Sequence, residues 1–338
     1  MTIKLVIGID TSKAKIDAWF KLLGADEQKH LCLLNSKIGF SKLDRTIRSF
    51  KVLPDEVFVC IEHTGYYGYK FFQHCKAKGY YCIEVSPLKI KRSAGVVRGK
   101  SDEDDSLMIA EFALRHLDEL FSEIDLAQDL LKLKTMLSQR NQLIKYQLGI
   151  ENHNKLIIST LPKKEIKQTV KQNNRIFSYF QKQINLTEAR IYDLVFNDQD
   201  LKNNFKLLNS IVGVGPWTAL YVILYTRNFM RIICPRRFAC FAGIAPFKHE
   251  SGSSIKGKPR VSHLANKKMK SLLQMSAMSA VTHDPELKAF YNRKIEEGKS
   301  KMSVLNAVRN KLVHRMFAVI RRQSAYFVKP VFEKKPKA

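Results

Sequence analysis

Four carboxylates and one hydroxyl stand out in this sequence for the chemistry they could perform together. Asp10 closes a compact apolar run, KLVIGID (Lys4 to Asp10), and Glu62 closes a second, VFVCIE (Val57 to Glu62). In a sheet where those two strands are neighbours, both carboxylates emerge at the same edge. Asp102 and Asp105 stand three apart within KSDEDDSLMIAEFA, at the start of a helix, and so share one face of its first turn. Four carboxylates converging on a point repel one another unless cations occupy the space. Hard oxygen ligands with open positions suit Mg²⁺ or Mn²⁺, and two such ions can activate a nucleophile and stabilise a leaving oxygen in phosphoryl transfer. Plainer roles stay open to each acid. Asp102, Glu103, Asp104 and Asp105 could complement the helix dipole, Glu62 could begin a turn, and Asp10 could cap. The joint placement on two core strands and a helix start is what points to catalysis.

Three further stretches bear on that chemistry. Just before the helix acids, PLKIKRSAGVVRGK carries Lys89, Lys91, Arg92, Arg98 and Lys100, a basic segment placed where a scissile backbone would lie, or else a solvated loop. LLNSIVGVGPWTALYVILY has an apolar helix end, Gly213-Val214-Gly215, and a helix opening at Pro216. It reads as a helix-hairpin-helix element whose turn amides face a phosphate, or as a plain helix-turn-helix packing unit. Between Gly243 and Lys258 a Gly- and Ser-rich loop holds Ser251, Ser253 and Ser254, flanked by Lys256, Lys258, Arg260, Lys267 and Lys268. Such a loop is ordinarily a linker. With basic flanks it could also hold a phosphate while a hydroxyl attacks it, leaving a transient phosphoserine.

The elements that must position these groups follow from hydrophobic period. Strands are expected at Lys4 to Asp10, Ile16 to Lys21, His30 to Leu34, Val57 to Glu62 and Tyr80 to Val85. Helices are expected at Ile38 to Phe50, through Tyr69 to Lys78, and from about Glu103 to His116. Three strands, a helix, a strand, a helix and a strand, then helices, is the order of an α/β RNase H-like (RuvC-type) domain, taken to span 1–119. From 120 to 200 glycine nearly vanishes and apolar residues fall into steps of three and four: Leu126, Leu130, Leu133, Leu137, Ile144 and Leu148, then Val170, Phe177, Phe180, Ile184, Ile191 and Leu194 beyond Pro162. Two long helices result, either an intramolecular antiparallel hairpin or a dimerising coiled-coil arm. A mainly α domain follows over 201–325, and a basic tail over 326–338.

Composition narrows the partners. Lys plus Arg outnumber Asp plus Glu by 58 to 31, a net charge of +27 spread along the 338 residues. A polyanion is the natural counterpart, and binding to it should weaken steeply with salt. Hydrophobic residues at 45% and charged residues at 26%, with no apolar run of membrane-spanning length, read as a soluble globular protein. The opening MTIKLVIGIDTSK has no basic leader or small-residue cleavage site and reads as a core strand, with a cytoplasmic location expected. The six cysteines form no C-x-x-C pair and read as reduced, buried thiols.

Taken together, VIGIDTSK, VCIEHTG with GKSDEDDSLMIA, and IVGVGPWTA with FAGIAPFKHESGSSIKGKPRVSHLANKKMK resemble the IS110-family transposases, the bridge-RNA-guided recombinases, in their order and separation along nearly the whole chain. The resemblance implies a DEDD-type metal site of Asp10, Glu62, Asp102 and Asp105 and a transposase domain with a catalytic serine. That serine would be Ser251, which stands before a glycine where the family usually shows Ser-Ser-Gly; Glu250 replaces the first serine here, and Ser253 is the alternative nucleophile. It further implies Mg²⁺ or Mn²⁺ without ATP, donor and target DNA, a noncoding bridge RNA, and a homo-oligomer, a dimer becoming a tetramer at synapsis. Two other functions are compatible with the same residues: a hydrolytic structure-specific endonuclease such as a Holliday-junction resolvase, and a non-enzymatic nucleic-acid-binding protein.

Overall fold

The computed structural model describes residues 3–63, 65–93, 101–121, 128–251, 255–262 and 264–327, and for 128–129, 248–251 and 255–260 the backbone alone. The chain forms two compact units, Met1–Leu126 and Ala127–Ala338.

The first unit is built on one sheet. Strands β1 (Leu5–Thr11), β2 (Lys15–Leu22) and β3 (Gln28–Leu34) run as an antiparallel meander. Helix α1 (Lys37–Ser49) leads to β4 (Val57–Glu62), α2 (Tyr69–Ala77) to β5 (Tyr81–Val85), and α3 (Pro87–Ser93), α4 (Asp102–Arg115) and α5 (Leu117–Phe121) complete the unit. Strand order is β3-β2-β1-β4-β5, with β4 parallel to both β1 and β5. That order and those directions make an RNase H-like sheet. Alternation assigns the two faces. Leu5, Ile7, Ile9, Val57, Val59 and Ile61 pack with Phe40, Leu43, Ile47 and Phe71 of α1 and α2. Val6, Phe58 and Cys60 pack with Ile109, Phe112 and Ala113 of α4. Both faces of β1 and β4 are covered, which is why these strands read as unbroken apolar runs.

Two long helices open the second unit: α6 (Gln128–Thr160) and α7 (Lys163–Asn197), with Pro162 as the N-cap between them. Asn154 bonds to Asn174, Gln147 to Gln181 and Arg140 to Glu188, partners receding from the turn in step, so the pair is an antiparallel hairpin within the chain. Its root is anchored. Leu133, Leu137, Ile191 and Val195 join the core formed by α8 (Gln199–Asn209), α9 (Pro216–Thr226) and α10 (Pro235–Phe241), together with α11 (Lys267–His283), α12 (Pro285–Glu296) and α13 (Lys301–Arg322). Strands β6 (Pro246–Ser251) and β7 (Ile255–Val261) pair antiparallel between α10 and α11.

That ribbon corrects the expectation of a loop from Gly243 to Lys258. Ser251 and Gly257 lie within its strands, Gly252, Ser253 and Ser254 lie outside the described residues, and a two-stranded ribbon has outer edges on which proline is tolerated. Likewise Pro87–Ser93 of the basic segment is helical, with Pro87 at a position where its missing N–H is not needed. The rest of that segment, including Arg98 and Lys100, lies outside the described residues, as does most of the basic tail. Among the described residues no helix is long and apolar enough to cross a membrane.

Candidate metal centre and nucleic-acid interface

Asp10 and Glu62 stand side by side. The parallel register pairs Ile9 with Ile61, so the next residue on each strand carries a carboxylate at the same level, on the sheet face covered by α4. Gly8 brings the remaining acids there. A Cβ on Gly8 would sit 2.2 Å from the Ala110 nitrogen and 2.3 Å from the Ser106 oxygen, so the backbone of α4 rests directly on β1. From Gly8 to Asp10 the strand advances about 6.6 Å, and from Ser106 back to Asp102 the helix retreats about 6 Å. The first turn of α4 therefore reaches the level of Asp10.

The electrostatics agree with that placement. The carboxyl of Asp10 is pushed above the usual aspartate range, first by burial, then by the negative charges of Asp105 and Asp102; the Thr11 backbone N–H pulls the other way, and Asp17 adds a smaller upward push. The crowded acids of α4 also sort themselves. Ser101 caps the helix by accepting from the Asp104 N–H, and its hydroxyl donates to Asp104 Oδ2 at 2.6 Å. Glu103 Oε1 lies 3.9 Å from His30 Nδ1. Asp102 and Asp105 are the two that act on Asp10.

Two side chains escaped the sequence reading. Asp17 is the cross-strand partner of Asp10, lies on the same face and is buried, with His30 Nε2 3.2 Å from its Oδ1. Its signal was an acid at an inward-facing position of the alternating run KIDAWFKL. His30, one strand further out, gave none.

An all-oxygen donor set of mutually repelling aspartates suits a hard divalent cation. As the side chains stand, no three His, Cys, Asp or Glu residues among those described converge tightly enough to chelate an ion.

In the second unit Ser251 is the last residue of β6 and pairs with Ile255, the first of β7; Ser253 lies outside the described residues. Glu250 pairs with Lys256 and Phe247 with Arg260, so Lys256, Lys258 and Arg260 run along β7 opposite the serine strand. Lys267 and Lys268 occupy the first turn of α11, which Asn266 caps by accepting from Met269 N–H at 2.8 Å. Gly213 has a packing reason to be glycine: at φ +90° a Cβ would lie 2.6 Å from Ala280 Cβ and from the Ser276 oxygen of α11. Gly215, the N-cap of α9, has open space where a Cβ would stand. In the first unit Lys91 and Arg92 are exposed at the end of α3, whereas the ammonium of Lys89 is engaged, 3.2 Å from Glu119 Oε1.

Comparison with known proteins places this arrangement. A family model described as a DEDD transposase of the IS110 type matches residues 7–161, and a second, described as transposase IS116/IS110/IS902 family, matches 205–292; together they span well over half the chain. The pilin gene-inverting proteins of Moraxella bovis and Moraxella lacunata are each 26% identical over 98% of this chain and 99% of their own length. A protein of the insertion element IS110 from Streptomyces coelicolor is 28% identical over 36% of this chain and 29% of its own. Among solved structures, T. thermophilus RuvC in complex with a Holliday junction substrate is 14% identical, covering 34% of this chain and 96% of that one. Its TM-score is 0.25, a superposition too loose to argue from. Two matched models of one kind, in the order the sheet and the serine-bearing unit require, establish that the chain belongs to the IS110 family of transposases.

Proposed function

We propose that this transposase cuts and rejoins donor and target DNA through a covalent phosphoserine intermediate. The observation that carries the reading is the level placement of Asp10 and Glu62 on neighbouring parallel strands, beneath a helix start whose Asp102 and Asp105 act on Asp10. These four carboxylates would hold divalent metal, Mg²⁺ or Mn²⁺, with side-chain rotation of the exposed Asp102 and half-exposed Asp105 completing the set. Bound there, such an ion supplies Lewis-acid stabilisation of charge on a scissile phosphate. Asp17, bonded to His30, steadies the floor of the site as a supporting carboxylate.

The hydroxyl of Ser251 attacks phosphorus: the Oγ–P bond forms, one P–O bond of the strand breaks, and a DNA hydroxyl departs with the serine proton. A hydroxyl of another strand then reverses the step and frees the serine. Each exchange trades one phosphodiester for another, so no ATP is consumed. In the synaptic assembly the acids of one protomer work on the serine of another, and the basic surfaces take up DNA together with a noncoding guide RNA.

Cleavage of junction DNA by Asp102→Asn, Asp105→Asn and Asp104→Asn variants in Mg²⁺ tests the metal half of this reading. Loss of about a hundredfold or more in the first two, with near-normal activity in Asp104→Asn, is expected. Equal activity in all three would remove α4 from the site.

A further inference from the structure

Helices α6, α7, α9 and α11 meet around a group of cations that the recombination chemistry leaves unused. Arg140 on α6 is held on two sides. Its Nε donates to Glu188 Oε1 on α7 at 2.6 Å, and its guanidinium carbon sits 3.4 Å from the centre of the Trp217 ring on α9. Among the described residues its terminal nitrogens have no hydrogen-bond acceptor. Beside it Asn141 is fixed in one orientation, its Nδ2 donating to the Tyr221 hydroxyl and its Oδ1 accepting from Lys268 Nζ at 3.1 Å. Lys268 also stands 5.3 Å from the centre of the Tyr221 ring. No carboxylate among the described residues lies within ion-pair distance of Lys268 or Lys145.

This arrangement is unfavourable in the free protein. Burial, together with the charges of Arg140 and then Lys145, pushes the Lys268 ammonium below the ordinary lysine range. Glu188 offsets one of the three charges, and the remainder calls for a further anion to compensate it. The geometry suits a phosphate. A guanidinium stacked on one face and pinned at Nε presents its remaining edge in a fixed fork, and a lysine beside it adds a compact point charge. An aromatic-backed cluster of three cations with one carboxylate, Glu188, on a chain of net charge +27 faces a polyanion rather than an acidic peptide segment.

We propose that Arg140, Lys145 and Lys268 form a receptor for a backbone phosphate of nucleic acid where the helical hairpin is rooted on α9 and α11 of the second unit. The proposal rests on the nucleic-acid partnership above and adds a specific place for it.

The test compares Lys268→Gln with Lys288→Gln, an exposed lysine on α12 that serves as a charge-matched control. Binding of the full chain to a labelled DNA duplex and to a labelled structured RNA is measured across a salt series. Lys268→Gln should weaken at least one of them about fivefold and flatten its log-affinity against log-salt slope by about one, while Lys288→Gln leaves the slope unchanged. The arm that responds identifies the source of the phosphate, and a response in both assigns a shared site. Thermal stability of the free protein should be unchanged or raised by Lys268→Gln, because a repelled charge is removed. Equal slopes for the two variants, or a Lys268→Gln protein that is less stable, would overturn the receptor alone. Wild-type protein that binds neither nucleic acid would overturn the functional reading and the receptor with it.

Discussion

Asp10 is where stability and chemistry pull apart. A carboxyl whose folded pKa is raised contributes stability that is fully present below its unfolded pKa and is lost as the pH climbs through the folded value. Burial and the charges of Asp105 and Asp102 impose that direction on Asp10. In chelator, Asp10→Asn should therefore melt higher than wild type at pH 7, and the gap should close on acidification below the aspartate range. The same variant should lose DNA cleavage by about 10³-fold or more. Adding Mg²⁺ should raise the melting temperature of wild type, as any ligand of the native state does, and do so far less in Asp10→Asn. A second contrast concerns thiols. Burial lifts Cys60 to about 12, whereas backbone N–H groups of Arg237 and Arg236 lower Cys234 at the start of α10. Alkylation of native protein followed by peptide mapping should label Cys234 well before Cys60. The places of Asp10 and Glu62 on β1 and β4, and of Asp102 and Asp105 in the first turn of α4, were legible in the sequence because each closes an apolar run or stands at a helix start. The place of Asp17 opposite Asp10 was not, since it depends on a cross-strand register that no local pattern reveals.

At the scale of elements, close backbone approach does the positioning. Gly8→Ala would force α4 off β1, destabilising the first unit by about 1–3 kcal/mol and lowering activity through displaced Asp102 and Asp105. Gly149, in the exposed middle of α6, meets nothing within 4 Å, so Gly149→Ala should stabilise by roughly 0.5–1 kcal/mol. Urea unfolding of the two variants separates packing from propensity. Asp284 is fully buried, caps α12 by accepting from Leu287 N–H, and receives Arg315 Nη1 at 2.7 Å. Its replacement by Ala leaves that arginine short of a buried partner and should cost about 3–5 kcal/mol, measured the same way. Strands β1 and β4 and helices α4, α6 and α7 could be read from period alone, because burial on both faces or on one stripe leaves a plain signature. The β6–β7 ribbon could not. Its strands are short, basic and interrupted by proline, so cross-strand pairing rather than local composition decides their conformation.

For the molecule as a whole, charge pointed to a polyanion as partner, while the two matched family models delivered the family. A net charge of +27 makes affinity for duplex DNA fall as a steep power of salt, a property that any nucleic-acid binder of this composition would share. What separates a serine recombinase from a hydrolase or a passive binder is a covalent link between protein and DNA. The direct measurement is to incubate protein with its flanking noncoding RNA and junction DNA in Mg²⁺, and to look for a denaturation-resistant protein–DNA adduct. Wild type, Ser251→Ala and Asp10→Ala would be run in parallel. An adduct formed by wild type and absent from both variants is the predicted result. Cleaved DNA without an adduct, insensitive to Ser251→Ala, would contradict the phosphoserine account and leave a metal-dependent hydrolase in its place.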